Sequence, residues 1–249
     1  MKLEIGMTVG LRRNKDKLEQ YCSQAVNSLR DVGFTEPLHL FIEPGAEVHI
    51  PEGDNFEVHQ NPEQYGCYRN FRCGLKYLTE NTDGDWFLML QDDAIWADNS
   101  YQILIDAMAD PEKQNVGFLS PYTSKTMLSK SVRAKARKQK PGWHECTFYR
   151  GKFWGAVAVA FPRRSAERLE NESKIYREHT HHRKLDVVMG HGIRELGLEI
   201  LMAVPSMVEH VGAFSTLGRH KKFLNQFVRR GYLFQQSSDK KRKSRWSFW

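Results

Sequence analysis

The sequence predicts a three-layer α/β domain built on a mostly parallel sheet. Three observations carry that expectation. Strand-like and helix-like segments alternate as far as residue 204, two of the strands are unbroken apolar runs, and one of those runs stops at a pair of acids. The run Trp86-Phe87-Leu88-Met89-Leu90 shows no polar alternation, the pattern of a strand covered on both faces. It gives way to Gln91-Asp92-Asp93-Ala94. Acids just past a parallel strand lie at its carboxyl end, where open α/β sheets bind their ligands. Two carboxylates there need a cation or hydrogen-bond donors to compensate them. A hard divalent ion carrying phosphates is one solution, and a helix cap or a solvated turn is the other.

Each element has a local reason. Residues 3–9 read as the first strand. Residues 15–32 predict a helix, because Leu18, Tyr21, Cys22, Ala25, Val26 and Leu29 recur at helical spacing and form one apolar stripe. Gly33 ends it, as a residue that tolerates a left-handed backbone does. Residues 38–42 form a second strand closed by Glu43-Pro44-Gly45, residues 65–78 a second helix, and residues 86–90 the strand before the acids. Residues 101–108 are helical and 116–119 a short strand, while 153–161 read as a buried strand near the sheet centre. Pro162 precedes a helix over 163–169, residues 186–196 give another, and the strand 200–204 ends at Pro205. No internal repeat is present.

Composition bounds the class. With 249 residues, 40% of them hydrophobic, the chain can bury one sizeable core. No apolar run approaches the roughly 18–20 residues of a membrane span. The opening Met1-Lys2-Leu3-Glu4-Ile5 reads as a strand rather than a signal peptide. Cys22, Cys67, Cys73 and Cys146 form no CxxC pair and no disulfide framework. A reduced, cytoplasmic setting is therefore expected (host cytoplasm for a viral protein), and zinc is not indicated.

Charge is unevenly placed. Residues 124–143 hold seven basic side chains (Lys125, Lys130, Arg133, Lys135, Arg137, Lys138, Lys140) and no acid. Residues 210–249 hold ten Lys or Arg against Asp239 alone. Together the two segments carry +16, so the net +7 leaves −9 for the rest of the chain. An acidic body with basic appendages points to a polyanionic partner, of which nucleic acid is the commonest; a solubilising tail is the plainer alternative. The segment 124–143 lacks an apolar stripe and reads as a mobile loop that orders on binding. The last ten residues interleave Lys240, Lys241, Arg242, Lys243 and Arg245 with Trp246, Phe248 and Trp249, so charge can track phosphates while rings stack on bases.

Several segments together resemble one family. The stretch 86–94 looks like the acid-x-acid (DxD-type) strand of nucleotide-sugar glycosyltransferases with the GT-A fold, with Gln91 in the first acid position. Gly66-Cys67-Tyr68-Arg69-Asn70-Phe71-Arg72-Cys73-Gly74 resembles the helix that often precedes that strand. Gly155-Ala156-Val157-Ala158-Val159-Ala160-Phe161-Pro162-Arg163 is similar to the glycine-led strand flooring the donor-sugar pocket. The most specific piece, Pro205-Ser206-Met207-Val208-Glu209-His210-Val211-Gly212 followed by Ser215, is similar to a Pro-Ser-Leu-Val-x-His-Ile-Gly segment near the end of such catalytic domains. The resemblance implies a catalytic domain over 1–218, with 219–249 a basic, aromatic extension.

It also implies chemistry. A nucleotide diphosphate leaves readily only when its developing charge is neutralised, so Mn²⁺ or Mg²⁺ is expected, with Asp93 a direct ligand and Asp92 a second ligand or a ribose contact. His210 is the candidate to complete the metal shell or bond the diphosphate; a core histidine at a strand end is the alternative. Thr8, Arg12 and Glu43 fall near the ends of the first two strands and, with Asn70 and Gly155, are candidates to hold the nucleotide sugar, a UDP-sugar being expected. An inverting transfer needs a base for the acceptor hydroxyl, and Asp186 at a helix start is the candidate, against the alternative of a plain helix cap. Glu145 is the reserve. His179, His181, His182, Asp186 and His191 are spaced too irregularly for a metal site and read as a solvated cluster.

The acceptor follows from charge. Lys130, Arg133, Lys135, Arg137 and Lys138 are the candidate nucleic-acid contacts, and a hydroxymethylated base, as in some phage DNA, would offer the hydroxyl once presented in the groove or flipped out. A glycan or protein acceptor with the tail on an anionic membrane surface is the second reading. A non-catalytic nucleic-acid-binding module is the third, and a metal-dependent nuclease, which leaves the segment 205–212 unexplained, is the fourth.

Overall fold

The computed structural model describes residues 1–11, 15–46, 48, 54–123, 142–146, 153, 155–178 and 185–211. Among these, ten strands and six α-helices follow one another: β1 (Leu3–Val9), α1 (Lys15–Asp31), β2 (Leu38–Ile42), β3 (Phe56–Gln60), α2 (Gly66–Asn81), β4 (Trp86–Gln91), β5 (Ala94–Trp96), α3 (Ser100–Ala109), β6 (Phe118–Ser120), β7 (Gly142–Glu145), β8 (Ala158–Pro162), α4 (Arg163–Asn171), α5 (Lys174–Arg177), α6 (Leu185–Glu195), β9 (Ile200–Val204) and β10 (Val208–His210). A single 3-10 turn over Pro111–Lys113 follows α3.

Eight strands form one sheet in the order β3-β2-β1-β4-β8-β6-β9-β7, and β5 pairs with β10 as a separate ribbon. The half from β3 to β4 is parallel throughout, and β6 runs parallel to β9. The sheet is thus mixed, because β8 lies antiparallel to β4 and β6, and β7 antiparallel to β9.

Parity along β1 decides the layers. Met7 faces Cys22 of α1, whereas a side chain at Gly6 would meet Leu78 of α2, so α1 and α2 cover opposite faces. On the first face, Phe34 packs against Trp96 and against Tyr101 of α3. On the second, α4 joins α2 over β4 and β8. Every residue of β1, β2 and β8 is buried, as a sheet covered on both faces requires.

Gly33 closes α1 with φ of +111°, its N–H reaching the Arg30 carbonyl while Phe34 N–H reaches Leu29. Gly74 serves proximity instead. A Cβ there would come 2.7 Å from Phe41 Cδ2 and 3.0 Å from Met89 Cε, so glycine lets α2 settle onto β2 and β4. Alanine would add about 1 kcal/mol of helix propensity, but overpacking costs about 1–3 kcal/mol. Gly74→Ala should therefore lower stability by on the order of 1 kcal/mol in urea denaturation; unchanged stability would mean that Phe41 yields.

Besides β3 and the short α5, which the sequence pattern does not announce, three segments depart from the expectation. The strand expected over 153–161 begins only at Ala158, because residues 156 and 157 form a turn that receives Gln91 N–H on the Val157 carbonyl at 2.9 Å. The basic loop expected over 124–143 gives up its last two residues to β7, which pairs with β9. The ribbon β5–β10 was hidden because each strand is only three residues long.

Candidate active site

The sheet order reverses between β1 and β4: β2 and β3 lie to one side of β1, and the chain then returns to the other. Such a switch point opens a crevice at the carboxyl ends of the strands. The acids stand there. Asp92 and Asp93 are both 3% exposed, in the turn between β4 and β5. Gly10 N–H, just past β1, donates to Asp92 Oδ2 at 3.4 Å, which ties the two strand ends together.

His210 arrives from a distant part of the chain. β10 pairs antiparallel with β5, setting His210 opposite Ala94, and Val211 N–H donates to the Asp93 carbonyl at 3.1 Å. The imidazole Nε2 thereby lies 3.0 Å from Asp93 Oδ2, with the ring partly open to solvent. Ser206 explains how the segment holds its course. Its hydroxyl accepts from Thr123 N–H at 3.0 Å and donates to the Val208 carbonyl at 2.7 Å, and Met207 N–H donates to the Pro121 carbonyl at 2.9 Å.

Asp186, on the first turn of α6, accepts from Ala156 N–H at 3.2 Å. The turn over 155–157 therefore touches the β4 end through Val157 and the α6 start through Ala156, and Gly155 is buried at its beginning. Cys67 reports how these groups converge. Its thiol is pushed up to about 12, by burial first and then by the carboxylates of Asp186, Asp92, Asp93 and Glu43. Four acids from three places, the β4–β5 turn, the end of β2 and the start of α6, act on one thiol. A site of such negative potential, offering carboxylate oxygens and one imidazole, fits a hard divalent cation such as Mn²⁺ or Mg²⁺.

The remaining nucleotide candidates lie around this centre. Glu43, buried past the end of β2, accepts from Tyr65 N–H at 2.8 Å and so anchors the start of α2. Thr8 donates to the Leu90 carbonyl at 3.2 Å, bracing β1 against β4. Asn70 donates to the Phe41 carbonyl at 3.0 Å and accepts from Asn61 at 2.9 Å, so its amide braces α2 against β2. Glu145 sits on β7, four strands from β4, or about 19 Å at about 4.8 Å per strand. His191 is on α6. Arg12, the cluster His179, His181 and His182, the contacts Lys130, Arg133, Lys135, Arg137 and Lys138, and the extension 219–249 lie outside the described residues. Cys67 was not singled out from the sequence; only its place one residue into the helix before the acid strand pointed to it.

No protein-family model matches this sequence, and no curated protein sequence matches it. Solved structures match by fold. A mannosyltransferase from Pyrobaculum calidifontis, solved with GDP-Man and Mn²⁺, aligns with a TM-score of 0.50 and 10% identity over 82% of this chain and 57% of that one. GalNAc-T7, solved with UDP, GalNAc and Mn²⁺, gives 0.57 and 12% over 91% and 47%. S. aureus TarS 1-349 gives 0.50 and 12% over 84% and 59%. The fold is GT-A-like. The chain spans about half the length of these structures. None of its described helices is long and apolar enough to cross a membrane.

Proposed function

We propose that this protein is a metal-dependent glycosyltransferase that moves a sugar from a nucleotide-diphosphate donor to a hydroxyl acceptor. The observation that carries the reading is the Asp93–His210 pair, 3.0 Å apart at the sheet's switch point and delivered by β4 and β10. The structural neighbours solved with GDP-Man or UDP and Mn²⁺ support it by fold. Asp93 and His210 would hold Mn²⁺ or Mg²⁺, with Asp92 a further ligand or a ribose contact. When bound, the ion supplies Lewis-acid neutralisation of the leaving diphosphate. Asp92 is oriented by Gly10 N–H, and Thr8 and Glu43 keep the strand ends and the α2 start in place around the nucleotide. Asp186 takes the acceptor proton, beside the turn that begins at Gly155.

Thermal-shift screening of the full chain against nucleotide sugars, with and without Mn²⁺, tests this. Donor at about a hundred times its Kd adds about 2.7 kcal/mol, or about 5–10 °C for a chain of this size. A donor shift present only with Mn²⁺ is expected, and no shift with any nucleotide sugar would overturn the reading.

For the acceptor we propose DNA carrying a hydroxymethylated base, on the strength of the +16 placed in residues 124–143 and 210–249. Each neutralised phosphate contributes about −0.9 to the slope of log K against log salt. With about a third of the 17 basic residues engaged, a slope on the order of −5 is expected. Replacing Arg133, Lys135, Arg137 and Lys138 by Ala should flatten it and leave donor hydrolysis unchanged. Activity independent of salt, or no DNA binding at low salt, would transfer the assignment to a glycan or protein acceptor.

A further inference from the structure

A second cluster lies at the opposite edge of the parallel half-sheet, and its chemistry is separate from the strand-end acids. β3 is the edge strand, and its register sets Glu57 beside His39 and His59 beside Phe41. Neighbouring residues of a parallel pair point to the same face, so His39, Glu57 and His59 converge under Tyr77 of α2.

Three distances define the cluster. His39 Nδ1 lies 3.3 Å from His59 Nε2 and 3.4 Å from Glu57 Oε2, while His59 Nε2 lies 3.5 Å from Glu57 Oε1. A tetrahedral ion with bonds of about 2.0–2.1 Å holds its donors about 3.3–3.4 Å apart. The two nitrogens stand at that spacing, and the Glu57 carboxylate, which turns a different oxygen to each ring, brings one ligand atom per residue within 4.8 Å of the others, so a small rotation of the carboxylate completes one face of such a tetrahedron. We propose that His39, His59 and Glu57 bind a borderline divalent transition metal, Zn²⁺ foremost, with the fourth position on the solvent side.

The groups behind the donors fit that role. Ligating histidines commonly hand their other ring nitrogen to a carboxylate, which fixes the tautomer. Here the far nitrogen of His39, Nε2, lies 3.5 Å from Glu4 Oε2, and both side chains are buried. Tyr77 donates its hydroxyl to Glu57 Oε1 at 3.0 Å, orienting the carboxylate. Phe41 stacks on the His59 ring at a centroid distance of 4.8 Å and holds it in plane. Two imidazoles with a carboxylate suit zinc better than the all-oxygen shells of Mg²⁺ or Ca²⁺. The cysteines contribute nothing, which is why their spacing gave no sign of zinc.

The ion would act as a staple. β3 exposes Phe56, Glu57 and Val58, so little apolar burial holds the strand to β2. Asn61, immediately after it, donates to Asn70 and takes the Ile42 carbonyl with its own N–H at 2.9 Å. Fixing β3 therefore steadies the flank of the crevice. His39 stands four residues before Glu43, about 13 Å back along the strand from the sheet end where Asp92 and Asp93 lie, so the cluster is separate from those acids.

The test uses the full chain stripped of metal by chelator dialysis. Zn²⁺ binding is measured by competition with a chromophoric chelator, and Co²⁺ by its visible ligand-field spectrum. One equivalent of Zn²⁺ with sub-micromolar affinity and the intense Co²⁺ bands of a tetrahedral site are expected in the wild type and in Asp93→Asn. Glu57→Gln, at an exposed position, should weaken Zn²⁺ by more than the roughly 10–100-fold that loss of a mere orienting partner gives, and His59→Asn by at least as much. Zn²⁺ should raise the Tm of the wild type but not of His59→Asn. Loss of the bound equivalent in Asp93→Asn with retention in Glu57→Gln would place the ion at the strand-end acids and overturn the proposal. So would a wild type that binds no Zn²⁺ below about 100 μM, which would leave the histidines as a hydrogen-bonded pair. Should His59→Asn fail to fold, Glu57→Gln decides alone.

Discussion

Asp93→Asn should abolish Mn²⁺-dependent donor binding and reduce sugar transfer about 10³-fold, while the fold survives. Asp93 is buried against His210 at 3.0 Å, and asparagine keeps its size and one oxygen acceptor for the imidazole. What it loses is the negative charge. Stabilisation of a leaving diphosphate by a metal is worth several kcal/mol, and each 1.4 kcal/mol or so is a factor of ten in rate. Calorimetry with a nucleoside diphosphate, with and without Mn²⁺, reads the binding, and a thermal melt reads the fold. Unchanged turnover in the asparagine variant would remove Asp93 from the metal site. A variant that melts far below the wild type would instead make the acid a structural partner of His210.

For Asp186→Asn, donor binding should persist and transfer should fall about 10²–10⁴-fold, the range a general base contributes. The geometry separates that role from scaffolding. Asp186 Oδ1 accepts the Ala156 N–H at 3.2 Å, a bond that an asparagine oxygen can also accept and an alanine cannot. If the carboxylate is the base, Asn and Ala at this position fail alike in kcat, and neither shifts the donor Kd. If it only holds the turn over 155–157, Asn restores most of the activity and Ala weakens donor binding as well, because that turn also carries the Val157 carbonyl that receives Gln91.

Much of the sheet could be read from local pattern. β1, β2 and β9 have the boundaries expected from their apolar runs, and α1 begins at Lys15, the start expected for it. These elements are buried on the faces their periodicity marks, so sequence and packing agree. The elements that escaped were those whose stability is not local. β3 is mostly exposed and held by register with β2, and β5 and β10 are three-residue strands that exist only as each other's partners. Resemblance rather than periodicity drew attention to the segment 205–212, and the fold supplied the mechanical reason for Ser206.

By itself, the sequence determined that the runs at 86–90 and 158–161 would be covered, where α1 stops at Gly33, that two acids would stand at the end of a central strand, and that the basic charge would be segregated into residues 124–143 and 210–249. Those are properties of neighbours in the chain, set by burial, helix ends and charge spacing. Tertiary structure alone decided that His210 meets Asp93, that Asp186 meets Ala156, and that His39, Glu57 and His59 share one face of an edge pair. Asp93 and His210, and Ala156 and Asp186, are separated in sequence by whole elements, His39 meets Glu57 and His59 across a strand pair, and no local periodicity encodes the register between strands. Register is chosen by packing both faces of the sheet at once, so the sites it creates exist only in the fold.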